Sequence, residues 1–207
     1  MIALVERGIR AVLLDIEGTT TPIAFVHDVL FPYARARLRD YVDASTASRM
    51  ETLMDADSKD GALKELQGRI WDRGYTEGSL RSIIYADVPP ALKRWRLSGV
   101  RVAIYSSGSV RAQRLLFANS DQGDLTNQID SYFDTAVGAK KVAASYARIS
   151  EQLRLRPVDI LCVSDVPAEL DAAHDAGMQT ALAVRPGNAP DATSPHPRIR
   201  TFAEITT

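Results

Sequence analysis

The chain has one cysteine in 207 residues. A single thiol forms no internal disulfide, so a disulfide-stapled framework is excluded and a reducing cytoplasm is the expected home. Cys162 lies inside an apolar run, Ile160-Leu161-Cys162-Val163, where a buried inert thiol is expected rather than a nucleophile. Net charge is nearly absent too: 25 Lys and Arg against 26 Asp and Glu argue against a broad basic face, and no nucleic-acid partner is expected. No apolar run approaches the roughly 18 residues that a membrane span needs, so no membrane partner is expected either. Met1 to Arg10 carries Glu6 among its charges and leads into a strand pattern, so it does not read as a signal peptide. His27, His174 and His196 show no ligand spacing, which sets zinc aside. Repeats and low-complexity tracts are lacking. With 45% hydrophobic residues, the length suits one globular domain carrying a smaller inserted one.

What is present concentrates at the ends of apolar runs. Ala11-Val12-Leu13-Leu14 leads into Asp15-Ile16-Glu17-Gly18-Thr19-Thr20, two acids where a buried strand gives way to a turn. An acid there is often only a cap or turn residue. Three further runs repeat the pattern, however. Val102 to Tyr105 precedes Ser106-Ser107-Gly108-Ser109. Tyr132 to Asp134 precedes Gly138-Ala139-Lys140-Lys141, and Ile160 to Val163 precedes Ser164-Asp165. Acid pair, hydroxyls, lysine and acid thus follow in chain order, at the sheet edge where open α/β folds bind ligands.

Helical patterns follow three of these loops. Val110, Leu115, Leu116 and Phe117 mark the apolar side of one helix, and Tyr146, Ile149 and Leu153 that of another. Ala168 to Ala176 forms a third, with Gly177 at a left-handed C-cap. Thr180 to Val184 is a further strand, and Gly187 to Pro197 reads as a loop before a short terminal segment. Between Pro22 and about Ala91 the strand rhythm stops. Leu30, Tyr33, Ala34, Leu38, Tyr41 and Val42 predict one amphipathic helix, and Leu63, Leu66, Ile70 and Trp71 predict another. The expected organisation is a catalytic core of residues 1–21 and 92–207 with a helical cap, 22–91, inserted into it.

This order of motifs resembles the haloacid dehalogenase-like phosphohydrolase superfamily, which implies a Rossmann-like parallel α/β core with an inserted helical cap domain. Within it, the stretch Leu14 to Ile23 with Glu17, Phe31-Pro32-Tyr33, Tyr105 to Ser109, Asp87-Val88-Pro89-Pro90-Ala91 and Val184-Arg185-Pro186-Gly187-Asn188 is similar to the enolase-phosphatase family of methionine salvage, the acireductone synthases. Most superfamily phosphatases carry Asp where Glu17 stands. The implied substrate is a small phosphorylated diketone, 2,3-diketo-5-methylthiopentyl 1-phosphate, and a monomer is expected.

A phosphate monoester brings about two negative charges to a site already holding acids, each repulsion costing on the order of 4 kcal/mol at 4 Å. Positive charge is therefore required, from a lysine and from bound Mg²⁺, which takes oxygen ligands. The resemblance implies Asp15 as nucleophile and metal ligand. It implies Glu17 as general acid-base whose carbonyl meets the metal, and Asp165 as the metal's anchor. Ser106 and Ser107 are expected to bind phosphate, helix capping being their plainer use. The resemblance selects Lys140 over Lys141, by the six-residue step to Tyr146 that matches the superfamily's spacing and by the family pattern Gly-x-Lys. Glu169 reads equally as a metal-facing acid or an exposed one. Trp71, Tyr75, Glu77 and Tyr85 are candidates for contacts from the cap. The alternatives are a related phosphatase with another small phosphorylated substrate and, remotely, a phospho-accepting receiver module. Receivers place the accepting acid on a later strand and lack such an insertion.

Overall fold

The computed structural model describes residues 1–56, 58, 60–188 and 193–207. Its central sheet has six strands: β2 (Ala11–Leu14), β3 (Arg101–Tyr105), β4 (Ser131–Phe133), β5 (Ile160–Ser164), β6 (Gln179–Ala183) and β7 (Arg198–Ile199). They lie in the order β4-β3-β2-β5-β6-β7, every pair parallel. Two short strands, β1 (Ile2–Ala3) and β8 (Ile205–Thr206), pair separately.

All four residues of β2 are buried, as befits a parallel strand covered on both faces. Its side chains alternate between two packed layers. Val12 and Leu14 join Val102, Ile104, Leu161 and Val163 on one face, against α5 (Val88–Leu97) and α6 (Val110–Ala118). Ala11 and Leu13 join Ala103, Tyr105 and Cys162 on the other, under α7 (Ala143–Leu153) and α8 (Pro167–Asp175). The chain leaves β2 for β3 on one side and later returns to β5 on the other. The strand order thus reverses at β2, and a crevice opens beyond the carboxyl ends of β2, β3 and β5.

The helices that precede α5 between β2 and β3 form the insertion: α1 (Ile23–Phe25), α2 (Phe31–Arg35), α3 (Ala44–Asp55) and α4 (Gly61–Thr76). The fold is therefore α/β, a Rossmann-like parallel core with an inserted helical cap. The single helix predicted over Leu30 to Val42 is interrupted. A π-helical turn, Val26–Leu30, joins α1 to α2, which ends at Arg35, and a 3₁₀ turn follows at Leu38–Asp40. Pro32 explains the widening. It has no N–H for the preceding turn, and the Phe31 amide reaches back to Val26 instead. Helix α3 was not predicted. It buries only Ala47 and Met50, so its apolar stripe is thin, and Asp43 caps it by accepting from the Ser45 and Thr46 amides. The terminal loop read over 187–197 is described at both ends, and residues 189–192 lie outside the described residues.

Candidate active site

Asp15 sits where β2 ends, its amide still bonded to the Val163 carbonyl of β5 at 3.0 Å. Lys140 Nζ lies 2.5 Å from Asp15 Oδ1 and 2.7 Å from Glu169 Oε2. Glu169 also accepts from the Ser164 hydroxyl at 2.9 Å. The lysine's loop is pegged from below: Tyr146 donates to the Lys140 carbonyl (2.7 Å), Ser145 to Ala139 (2.8 Å) and Tyr105 to Gly138 (2.9 Å). Burial lowers the proton affinity of Lys140, but Asp15 and Glu169 outweigh it and hold the ammonium above its usual range. Burial and the charge of Asp15 raise Glu169 despite its bond to Lys140.

Asp165 packs over the turn that follows Asp15. Gly18 takes φ +70, and a Cβ there would stand 2.1 Å from Asp165 Oδ2, so this position requires glycine. Burial first, then Asp15 and Glu169, push the Asp165 carboxyl up to about 7. Excess negative charge beside oxygen donors from Asp15 and Asp165 fits a hard divalent cation. Among the described residues no group of three or more His, Cys, Asp or Glu side chains could hold a metal by itself. A hard cation can make do with one or two carboxylates, because waters, a carbonyl and a phosphate oxygen complete its shell.

The serine loop comes from β3. The Ser106 amide donates to Phe133 (3.2 Å) and its hydroxyl accepts from the Gly108 amide (3.3 Å). Ser109, not the serine pair, caps α6 by accepting from Ala112 N. Gln113, 1% exposed, donates to the carbonyls of Gly108 and Phe133, both at 2.8 Å, and so ties this loop to β4.

Between this edge and the insertion lies a cavity of about 360 Å³. Glu17, Ser106, Ser107 and Gln113 line its floor; Phe31, Met54, Leu63 and Trp71 line its roof. Glu17 Oε1 meets His27 Nε2 at 2.7 Å on the cavity wall. Trp71 is fixed by its indole N–H on the Leu30 carbonyl of the π turn (2.9 Å). Helix α4 is joined to the core by Lys64 on Thr135 (3.1 Å) and by the Asp72–Arg111 ion pair.

A model of the haloacid dehalogenase-like hydrolases matches residues 9–177. Enolase-phosphatase E1 of Sorangium cellulosum is 46% identical over 95% of this chain and 97% of its own. Enolase-phosphatase E1 of Synechococcus elongatus is 42% identical, over 96% and 98%. The chain belongs to the haloacid dehalogenase-like hydrolases, within the enolase-phosphatase E1 family. The crystal structure of the UTR4 protein of Saccharomyces cerevisiae superimposes with a TM-score of 0.82 at 36% identity, covering 95% of this chain and all of that one. L-2-haloacid dehalogenase of Xanthobacter autotrophicus gives 0.63 at 18% identity, over 95% and 96%, a likeness of fold alone.

In this family member the structure brings Asp15, Lys140 and Asp165 to one edge and sets Glu17, Ser106 and Ser107 on the cavity beside it. Lys141 is exposed. Glu169 is not the exposed acid of the two expectations: it is 7% exposed and paired with Lys140. Among the cap candidates, Trp71 and Tyr75 line the cavity. Glu77 instead pairs with Arg73 on the surface, and Tyr85 lies off the cavity against Arg185. Sequence reasoning missed His27 and Gln113. Gln113 carried a usable signal, because it falls on the same helical face as Leu116 and Phe117, where a polar residue needs a reason. His27 carried none.

Proposed function

We propose that this protein converts 2,3-diketo-5-methylthiopentyl 1-phosphate to acireductone and phosphate in methionine salvage. The observation that carries the reading is the Lys140 bridge between Asp15 and Glu169 at the strand ends, next to a cavity floored by Glu17 and two serines. A net shift of one proton from C1 to the C2 carbonyl oxygen, taken by a base and returned to the enolate oxygen, gives the enediol phosphate. An oxygen of Asp15 then attacks phosphorus, the ester P–O bond breaks, and the leaving enediol oxygen takes a proton from Glu17. Water gives a proton back to Glu17 and attacks the aspartyl-phosphate, which releases phosphate and restores Asp15. Lys140 offsets the charge gathering at Asp15, and Ser106 and Ser107 donate to the phosphoryl oxygens. Mg²⁺, when held by Asp15, the Glu17 carbonyl and Asp165, supplies charge that polarises the substrate's oxygens.

Residues 22–91 act as the cap over a core of 1–21 and 92–207. The later boundary falls inside α5, which packs on β3, so the working edge of the cap lies nearer Tyr85. A cytoplasmic monomer suits the buried Cys162, whose thiol burial pushes up into an inert state, and the scatter of the exposed apolar side chains.

The test is to mix protein, Mg²⁺ and the diketone phosphate and to follow enediol absorbance alongside phosphate. Both signals are expected. Phosphate release from p-nitrophenyl phosphate, with neither signal from the diketone, would point to another phosphorylated substrate.

A further inference from the structure

Two sequence segments have no part in the chemistry above, Asp87 to Ala91 and Val184 to Asn188, and they meet in the fold. Arg185, 5% exposed, lies between the rings of Tyr85 and Phe202, each 4.6 Å from its guanidinium carbon. Its Nη1 donates to Asp87 Oδ2 at 2.7 Å and to the Arg200 carbonyl at 3.1 Å. Asp87 Oδ2 also accepts from the Thr201 hydroxyl (2.8 Å) and the Phe202 amide (2.6 Å), which fixes the carboxylate and hence the guanidinium. The remaining bond points at the active site: Arg185 Nε donates to the Thr19 carbonyl at 3.0 Å.

Thr19 belongs to the turn that carries Asp15 out of the sheet. Three successive carbonyls of this turn are held from outside it. Gly18 accepts from Asn188 Nδ2 (2.8 Å), Thr19 from Arg185 and Thr20 from the Tyr85 amide (3.1 Å). Inside the turn, the amides of Thr19, Thr20 and Thr21 converge on the Ile16 carbonyl at 3.2, 2.9 and 2.9 Å. The turn also passes under Asp165, where Gly18 leaves no room for a Cβ. A small shift of this backbone would therefore move Asp15, Glu17 and Asp165 relative to one another.

We propose that Arg185 is a positioning residue of the active site, its guanidinium locked by Asp87 so that Nε holds the nucleophile's turn in register. It touches no reacting atom in this role. The planar fork matters because it fixes Nε and Nη1 on two separate partners at once, which the point charge of a lysine on a flexible stem does not. The inference rests on the proposed function only for its kinetic consequence; the clamp itself concerns the folded protein without substrate.

Three variants of the full chain test it: Arg185→Lys, the charge-neutral pair Arg185→Gln with Asp87→Asn, and Lys93→Gln as an exposed change on α5 outside the clamp. The neutral pair buries no unmatched charge, so it reports even where the single change unfolds. Amide exchange at residues 19–21 should speed up roughly tenfold or more in the first two, with the amides of β3 and β5 unchanged. Phosphate release should fall about tenfold to hundredfold in kcat, the scale of a misplaced reacting group. KM should stay within about twofold, and Lys93→Gln should keep both kcat and the exchange rates. Unchanged exchange in the turn, or equal acceleration across the sheet, would overturn the clamp. A wild-type protein that releases phosphate from neither the diketone phosphate nor p-nitrophenyl phosphate would remove the proposed function and leave the exchange result to decide on Arg185.

Discussion

On the sheet side of the site, Lys140 meets Asp15 and Glu169 at 2.5 and 2.7 Å, with the lysine and carboxylate side chains 12, 8 and 10% exposed. Where the cap meets the cavity floor, His27 meets Glu17 at 2.7 Å, but those side chains are 57 and 41% exposed. The distances match and the energetics do not. A buried charge keeps its partner's field and leaves an unmatched group when that partner is removed, whereas an exposed pair is screened by water. Rigidity follows the same division. The floor is fixed by strand ends and pegged loops, while the roof is helix surface that shapes a cavity.

The largest separation of the two regions should come from Asp15→Asn. An amide is a far poorer nucleophile than a carboxylate, so phosphate release should stop, down by several orders of magnitude. Enolisation needs only a polarised carbonyl and a base, and Glu17 on the cavity floor is untouched, so some enol-phosphate should accumulate. Rapid mixing with ultraviolet and phosphorus detection reads both steps. Continued phosphate release would rule out an aspartyl-phosphate, and loss of both steps would tie enolisation to the sheet side as well.

Next comes the lysine. Lys140→Ala leaves two buried carboxylates facing each other and removes charge stabilisation from a water-poor site, so kcat for phosphate release should fall about 10³-fold or more. Lys141→Ala removes only an exposed charge and should leave kcat nearly unchanged. Equal effects in steady-state assays would mean that the contact with Asp15 is not what matters.

On the roof the expected change is in selectivity rather than rate. Trp71→Phe keeps an aromatic wall but loses the bond to the Leu30 carbonyl, loosening α4 against the π turn. The ratio of kcat/KM for the diketone phosphate to that for p-nitrophenyl phosphate should drop roughly threefold to tenfold. Tyr85→Phe, off the cavity, should leave it in place. The reverse pattern would move the roof's specificity away from α4.

The same contrast explains what the sequence made legible. Parallel strands buried on both faces announce themselves as apolar runs, and the residues just beyond them are then fixed in space by topology. Asp15, Ser106 and Asp165 stood out as candidates that way, and Lys140 through the resemblance, by the superfamily's six-residue step to Tyr146. The insertion was harder because its pairings are tertiary. Helix α3 hides behind a polar sequence, and Pro32 turns one predicted helix into a π turn and a short helix. Glu169 looked ambiguous because nothing along the chain shows that it faces Lys140 across the sheet edge. Arg185 and Asp87 lie 98 positions apart, and no local pattern links them.

The smallest expected effect is the sharpest check on the comparison. His27→Ala removes a partner of Glu17 at the same 2.7 Å separation that Lys140 keeps from Glu169. Were distance the governing quantity, the two alanine variants would cost alike. Exposure says otherwise: water solvates the carboxylate that His27 leaves behind, and such a pair contributes less than about 1 kcal/mol to folding. Thermal unfolding should therefore shift by no more than about 4 °C. The loss in kcat should be only about threefold, reflecting a Glu17 carboxylate that spends less time aimed into the cavity. A calorimetric scan and one steady-state series on His27→Ala and Lys140→Ala together decide it. A loss at His27 approaching that at Lys140 would mean that the cap side closes over Glu17 during the reaction and buries the pair, so that both walls of the site work by the same physics once substrate is bound.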